Sequence, residues 1–488
     1  MPADREIELK FVCGPEDLAT VLAAAPAGDD ETRELISVYF DTPDLVLQKA
    51  GASLRVREHK GRRTQTLKRG EGLVREEHET AIEGLAPDPA LGPLPSILPD
   101  GATLRPAFNV RVSRRQRTLR YQGAEIELAL DQGEVTGGDR QSLICEVELE
   151  LKSGPATALF ALAREIAAAA PLYLAFDSKA ARGQALVAED GAPTHKGGKI
   201  ELASEATVAQ AFQGIARRAL VQIAANAQAL RATPTPTAVH QLRVGVRRLR
   251  SALATFRPLL DRDGLAALKV ELRWLSHACD LARSLDVLAD ETLAPAELAG
   301  APTLGLAALR KAIDAARRAA WGQAGEAVAS ARFRGLMIDA AAWVETGAWR
   351  EGLDAAAPIR SFARRALKRH LKKLNRRGRE ARDGDDEARH QLRIEAKKLR
   401  YAADALAPLY GEARTKRYLG HVRDLQEALG ALNDLVAAGP LISTLTLSPE
   451  AAFTAGERMG LRTAGRRKLL IQATKALDRL EAATPFWG

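Results

Sequence analysis

The stretch Glu6-Ile7-Glu8-Leu9-Lys10 decides how the first half of the chain is read. In a β-strand, successive side chains point to opposite faces. Glu6, Glu8 and Lys10 then share one face. Ile7, Leu9 and Phe11 share the other, which can be buried in a core. Two carboxylates about 7 Å apart along a strand repel unless a cation lies between them. The charged face suits a hard divalent metal with an anionic ligand beside it. A solvated outer face is the plainer alternative.

The following segments repeat the pattern. Alternating runs occur at 6–11, 53–58, 63–68, 74–82, 108–121, 124–131 and 143–152, separated by Gly-, Pro- and Asp-rich turns. Helical stretches are expected near 15–25, opened by Pro15, and near 155–170, stopped by Pro171. Arg55 and Arg57 alternate with Leu54 and Val56, and Lys68 follows Leu67. Glu77 and Glu79 lie in the next run, Glu125, Glu127 and Asp131 in a later one, and Glu146, Glu148, Glu150 and Lys152 in the last. Ionic residues of both signs on one face of almost every strand predict a closed antiparallel β-barrel with a polar lumen. Mixed charge has a use there. Mg²⁺ takes carboxylate oxygens while keeping water and phosphate as other ligands, and Arg and Lys bind phosphate oxygens. A metal-bound water has a lowered pKa and can attack phosphorus in line.

A chain of 488 residues predicts two or three domains. No apolar run is long enough to cross a membrane, and the charged start lacks a signal core. Cys13, Cys145 and Cys279 form no CxxC pair, so neither a zinc knuckle nor a disulfide framework is expected, and a cytoplasmic location is. Residues 1–200 carry 25 Lys+Arg against 31 Asp+Glu, a net of −6. The remainder carries 46 against 31, a net of +15. The basic half implies a polyanionic partner: nucleic acid, anionic lipid or polyphosphate.

Polar residues around Ala188–Gly198 read as a linker. From about 203, Ala, Leu and Arg dominate at helical spacing. Ala216-Arg217-Arg218-Ala219-Leu220 returns as Ala363-Arg364-Arg365-Ala366-Leu367, His240-Gln241-Leu242-Arg243 as His390-Gln391-Leu392-Arg393, and Leu285-Asp286 is echoed by Asn433-Asp434. Three landmarks in one order, at nearly constant offset, predict a duplicated helical bundle.

One repeated helix carries His240, Arg243, Arg247, Arg248 and Arg250. Its copy carries His390, Arg393, Lys397, Lys398 and Arg400 at the same offsets. At about 100° per residue, His240, Arg243, Arg247 and Arg250 form one stripe, with Leu242, Val246 and Leu249 opposite. Such dense like charge needs an anion or acidic neighbours. The readings are a solvated face, a metal site through His240 and His390, or a polyanion surface. The metal reading lacks carboxylate companions at ligand spacing. The polyanion reading fits best, with histidine adding hydrogen bonds and partial charge below neutrality. Helix-turn-helix, zinc-finger and RNA-binding aromatic signatures do not accompany the stripe, so nucleic acid is not favoured. Asp286 and Asp434 could orient these cations or close helix ends.

The first half resembles the CYTH superfamily, the triphosphate tunnel metalloenzymes, over roughly residues 1–185. The resemblance rests on the opening E-x-E-x-K, Tyr39-Phe40-Asp41-Thr42-Pro43, Leu54-Arg55-Val56-Arg57, Thr66-Leu67-Lys68, Arg75-Glu76-Glu77, Asp131-Gln132-Gly133, Cys145–Lys152 and Ser178–Gly183. It implies Glu6, Glu8, Glu146 and Glu148 as metal ligands, with Glu77 and Asp131 assisting. It implies Lys10, Arg55, Arg57, Lys68, Arg117, Lys179 and Arg182 as phosphate-binding residues. Arg111, Arg114, Arg115 and Arg120 compete with Arg117 for that role. Glu6, Glu8 and Lys10 are the expected catalytic set, with Mg²⁺ or Mn²⁺ as cofactor. A general base is left open among Tyr39, Lys10 and a carboxylate, with the metal alone as the further alternative.

The second half resembles the CHAD family on the two H-x-L-R helices and covers about 203–485. This implies an all-α bundle binding long-chain polyphosphate, with association to polyphosphate granules. Arg217, Arg218, His240, Arg243, Arg247, Arg250, Arg364, Arg365, His390, Arg393, Lys397 and Arg400 would line that surface. The expected architecture is thus an α+β tunnel domain at 1–187, a linker at 188–202, and a duplicated helical domain at 203–488. The expected activity is hydrolysis of inorganic tripolyphosphate to pyrophosphate and phosphate. Cyclisation of ATP, hydrolysis of thiamine triphosphate, and a purely binding polyphosphate scaffold are the alternatives.

Overall fold

The computed structural model describes residues 6–59, 61–70, 74–187, 195–198, 200–293, 305–352 and 354–488, with backbone alone at 6, 74 and 75. Of the expected linker, residues 188–194 and 199 lie outside the described residues. The chain divides into two compact units, Met1–His195 with Ala329–Thr346, and Lys196–Val328 with Gly347–Gly488.

Among the described residues, the first unit is built on nine strands: β1 (Glu6–Val12), β2 (Asp29–Asp41), β3 (Ala52–His59), β4 (Arg62–Arg69), β5 (Val74–Ile82), β6 (Arg105–Tyr121), β7 (Ala124–Gly137), β8 (Arg140–Ser153) and β9 (Tyr173–Ala175). They form one antiparallel sheet in the order β5-β4-β3-β2-β6-β7-β8-β1-β9. β5 returns to β1 over two residue pairs, Glu6↔Arg75 and Ile7↔Val74. Among the described residues the sheet is therefore tunnel-like, without the continuous ladder of a fully closed barrel. The sequence pattern did not announce β2 or β9. β2 starts with the polar run Asp29-Asp30-Glu31-Thr32 and ends apolar on both faces, so no alternation marks it.

Helices α1 (Leu18–Ala24), α2 (Val46–Lys49), α3 (Ala156–Ala169) and α4 (Lys179–Val187) decorate this sheet. Leu9, Phe11, Ile126, Leu128, Val147 and Leu149 are buried on the outer face, over which α3 packs Leu159, Leu162 and Ile166. Helix α4 packs on β6, β7 and β8 and meets an apolar plug of Leu35, Tyr39, Phe108, Val110, Val112, Val135 and Ile144. Gly183 lets α4 approach this closely, because a Cβ there would lie 2.2 Å from the Phe108 ring. Asp41 ties down the turn after β2: Oδ1 accepts from Thr42 N and Leu47 N, and Oδ2 from Gln48 N.

The remaining helices are α5 (Val208–Ala232), α6 (Pro236–Thr255), α7 (Arg262–Ala278), α8 (Asp280–Thr292), α9 (Leu306–Ala329), α10 (Ala331–Thr346), α11 (Ile359–Arg382), α12 (Asp386–Leu406), α13 (Glu412–Ile442), α14 (Pro449–Ala464) and α15 (Arg466–Ala482). The duplication is visible as α5–α6 against α11–α12, with α7 and α8 matched by the continuous α13. Thr235 and Asp385 cap the two stripe-bearing helices, accepting from Ala238 N and Ala388 N. Helix α10, expected with the helical half, belongs to the first unit. It packs on α3 and β9, where Arg164 Nε meets Asp339 at 3.0 Å and the Arg334 guanidinium lies over the Tyr173 ring. Its Ala and Leu content reads as bundle helix, and only packing assigns it elsewhere.

Candidate functional site

The register places the charged residues of neighbouring strands on one face. Directly opposed residues share a face. Lys10 opposes Glu148, Asp131 opposes Glu146, Arg114 opposes Asp131, Tyr39 opposes Arg55, Ser37 opposes Arg57, and Lys68 opposes Glu77. The tunnel face is therefore ionic, with both signs present.

Its centre is a trio of carboxylates, Asp131, Glu146 and Glu148, each offering an oxygen within 4.8 Å of the others. Asp131 and Glu146 are fully buried. Lys179, reaching in from α4, sits among all three, 2.7 Å from Asp131 and 2.8 Å from both glutamates. Lys10 Nζ lies 3.1 Å from Glu148 and 3.8 Å from Glu146. Arg114 donates Nε to Asp131 Oδ1 at 2.7 Å, and Nη2 to Asp131 and to Glu148. Arg182 donates to Glu146 Oε1 at 2.8 Å and to the Leu143 carbonyl. Burial pushes the Glu146 and Glu148 carboxyls up, but Lys179 and Lys10 outweigh it and hold both below the usual range. Asp131 is likewise lowered: burial opposes, and Lys179 and Arg114 prevail. Lys179 is raised well above its ordinary value, the three carboxylates overcoming burial.

A second group lies along β3, β4 and β5. Lys68 Nζ is 2.7 Å from Glu77, and Arg55 Nη2 is 3.6 Å from Glu77 and 3.8 Å from Glu79. Arg57 has no carboxylate at this range among the described residues; its Nε donates to Ser37 Oγ at 3.1 Å. Burial, with Arg55 next to it, brings Arg57 down to about 10. Burial raises the Tyr39 phenol, yet Arg55 and Arg57 leave it below its ordinary value.

The structure thus brings together Lys10, Asp131, Glu146, Glu148, Lys179 and Arg182, and places Arg55, Arg57, Lys68 and Glu77 on the same face. Arg117 is not among them. It opposes Leu128 on the outer face, where it pairs with Asp30 and donates to the Leu22 and Pro26 carbonyls. Arg114 occupies the tunnel position instead. The Gln122-Gly123 turn, with positive φ at both residues, fixes the β6–β7 register. Counting back from it pairs Asp131 with Arg114, a signal already present in the sequence. Glu8 opposes Glu150, one step along from Lys10, and is outside the carboxylate trio. The side chain of Glu6 lies outside the described residues. Cys13 and Cys145, remote in sequence, meet as free thiols 3.8 Å apart.

The trio fits a divalent metal. Its three carboxylates already gather around one cationic nitrogen, Lys179 Nζ, at 2.7–2.8 Å.

In the second unit, Leu242, Val246, Leu249, Leu392, Ala396 and Leu399 are buried, as the periodicity predicts. The two stripes do not simply face solvent, because α6 packs on α12. Burial, followed by Arg393, Arg247 and Arg243, brings Lys397 down to about 7, with Asp434 opposing. Arg243 Nε, Arg247 Nε, Arg393 Nε, Arg400 Nε and His240 Nδ1 are buried with no hydrogen-bond partner among the described residues. Burial and the cations Arg283, Arg247 and Arg243 lower His240 to about 4, so it is neutral at and just below pH 7 and does not add the expected charge. His390 Nδ1 meets Asn433 Oδ1 at 2.7 Å.

The acidic echoes have diverged. Asp434 lies 3.7 Å from Arg393, whereas Asp286 accepts from Arg317 and Trp321 on α9. Arg364 donates to the Trp487 and Gly488 carbonyls, Arg365 is exposed beside it, and Arg250 is exposed on α6. Arg217 is half-buried on α5, and Arg218 lines a separate cavity of about 700 Å³ with Arg248 and Arg423.

The comparisons with known proteins fall on the same two halves. The family model of the CYTH domain matches residues 4–183, and that of the CHAD domain matches 214–443. A protein of Haemophilus influenzae named inorganic triphosphatase is 31% identical over 193 residues, 37% of this chain and 55% of its own length. The chain thus spans about half the length of that curated relative. The crystal structure of the CHAD domain from the plant Ricinus communis matches at 30% identity and a TM-score of 0.53, over 60% of this chain and 99% of that one. PptA from Streptomyces chartreusis aligns at 20% identity and a TM-score of 0.42, over 56% of this chain and all of its own. With a CYTH tunnel and a CHAD helical bundle in succession, the chain belongs to the CYTH–CHAD proteins of the triphosphate tunnel metalloenzyme superfamily.

Proposed function

We propose that this chain hydrolyses inorganic tripolyphosphate in its tunnel, with Mg²⁺ or Mn²⁺, and holds long-chain polyphosphate on its helical unit. The observation that carries the first part is the buried carboxylate trio surrounded by Lys10, Lys179, Arg114 and Arg182. Three negative and four positive side chains leave an excess of one positive charge, which suits an anion once a metal is present. Lys10, Arg55, Arg57, Lys68 and Arg182 are the phosphate-binding residues, and Arg114 keeps Asp131 and Glu148 in position. Glu146, Glu148 and Asp131 are the metal-holding residues; Glu8 extends the acidic face towards Glu150. A divalent metal held there would polarise phosphoryl oxygens and lower the pKa of water. The tunnel walls fix the chain of phosphates and limit water around it.

For the helical unit, the buried cationic nitrogens without hydrogen-bond partners favour a polyanion. An inorganic chain is favoured over a nucleotide because, among the described residues, the groups at the centre of the tunnel face are ionic.

The test is a panel of tripolyphosphate, ATP and thiamine triphosphate with metal titration, beside a Glu146→Gln variant. Preferred release of phosphate from tripolyphosphate, lost in the variant, is expected. Equal phosphate release by both proteins would defeat the assignment. Binding of long-chain polyphosphate to the full chain should weaken steeply with added salt.

The mutual pairing of these charges favours one second reading, a tunnel that binds polyphosphate without turnover. No phosphate release under any metal would select it.

A further inference from the structure

Arg33 belongs to no motif of the family resemblance, yet it stands on the tunnel face. It shares the parity of Leu35, Ser37 and Tyr39 on β2 and directly opposes Arg114 on β6. Arg114 is committed to Asp131 and Glu148. Arg33 has no ion pair or hydrogen bond among the described residues, and its Nε is buried and unsatisfied. Glu31, two residues along the same face, is exposed and opposes Gln116, whose Oε1 is also buried and unsatisfied.

A half-buried guanidinium beside a second guanidinium is costly unless an anion compensates it. The other tunnel cations Lys10, Lys68, Arg55, Lys179 and Arg182 each have a carboxylate within 4 Å. Arg33 resembles Arg57 in having no carboxylate within 4 Å among the described residues, so each guanidinium is able to take up an anionic ligand. Linear phosphates carry dense negative charge and planar pairs of oxygens that match a guanidinium fork.

We infer that Arg33 is a phosphate-binding residue of the tunnel, contacting non-bridging oxygens of a linear inorganic polyphosphate. This rests on the proposed tunnel function and adds a residue from β2, which otherwise contributes Tyr39 and Ser37 to the site. Its role is binding in both the ground and transition states, so its loss moves KM more than kcat.

The experiment compares the full-length protein with Arg33→Gln and Arg33→Lys. Steady-state kinetics with tripolyphosphate are joined to calorimetric titration of tripolyphosphate into metal-free protein. Arg33→Gln is expected to raise KM and the dissociation constant about tenfold, equivalent to about 1.4 kcal/mol, with kcat little changed. Arg33→Lys should recover part of the loss. Without ligand, Arg33→Gln should melt at or above the wild-type temperature, because an uncompensated charge has been removed; a merely structural arginine would lower it. Unchanged KM and unchanged calorimetric affinity overturn the inference, as does a fall in kcat with KM intact. If the wild type shows no turnover, the tunnel hydrolase reading fails, and the calorimetric arm still decides Arg33.

Discussion

Arg114 directly opposes Asp131 across β6 and β7 and bonds it twice, through Nε at 2.7 Å and Nη2 at 2.6 Å. Arg117, three residues later, points to the other face and bonds Asp30. Strand parity alone separates the two. Arg114→Lys cannot keep the two-pronged contact, since an ammonium is a point donor. We expect a loss of about 100-fold in kcat/KM for tripolyphosphate. Arg117→Ala should lower Tm while leaving kcat/KM unchanged. Paired kinetics and thermal melts of the two variants check this, and equal kinetic losses would contradict the placement.

The carboxylate trio gives a metal prediction with its own readout. Glu146→Gln and Glu148→Gln should abolish Mn²⁺ binding measured by titration calorimetry, and should lower kcat by about 100-fold or more. Chelation of the wild type should remove activity, and Mg²⁺ or Mn²⁺ should restore it. Undiminished Mn²⁺ binding in both variants would move the metal elsewhere.

The same residues fix how metal-free protein responds to acid. Glu146, Glu148 and Asp131 are held below their ordinary values in the fold. Groups with depressed folded pKa values stabilise fully above their unfolded pKa, and that stability is lost as pH falls through the folded values. The unfolded values lie near 4.5 for Glu and 3.8 for Asp. Thermal melts in chelator should therefore hold steady from neutral pH to about 5 and decline below about 4. In Glu148→Gln the acid-side decline should be shallower.

Lys397 gives a slope of the same sign in a higher pH window. Burial, together with Arg393, Arg247 and Arg243, lowers it to about 7 against an ordinary 10.5, while Asp434 pulls the other way. Between those values the unfolded chain binds the proton and the folded one does not, so its stability term improves as pH rises from 7 towards 10.5. Lys397→Met should raise Tm most at pH 6, and the gain should shrink above pH 7. Melting both proteins across pH 6–10 reads this directly. Added long-chain polyphosphate should stabilise wild type more than Lys397→Met.

Much of the tunnel was legible because β-strands turn period-two chemistry into faces. Leu9 and Phe11 against Lys10, and Val147 and Leu149 against Glu146 and Glu148, sort themselves without a structure. β2 escaped because its apolar end serves two cores, with Leu35 and Tyr39 on one face and Phe40 on the other. Lys179 and Arg182 stand out only through a motif, since nothing in Ser178–Gly183 shows that a helix closes over the tunnel. In the helical half, the repeat gave the stripes and their buried faces. It could not tell that α6 and α12 bring their cations together, that His240 loses its charge to that crowding, or that Asp286 serves α9 while Asp434 serves Arg393.

By itself, the sequence determined the secondary-structure classes of its two halves, the charged tunnel face and the duplicated basic helices. These follow from local periodicity and charge, which each segment carries whatever surrounds it. Tertiary structure alone decided which charges meet: Lys179 among three carboxylates, Arg33 with no partner among the described residues, and α10 joined to the first unit. Such pairings depend on register and packing between residues far apart in the chain, and the energy of a buried charge is set by those neighbours.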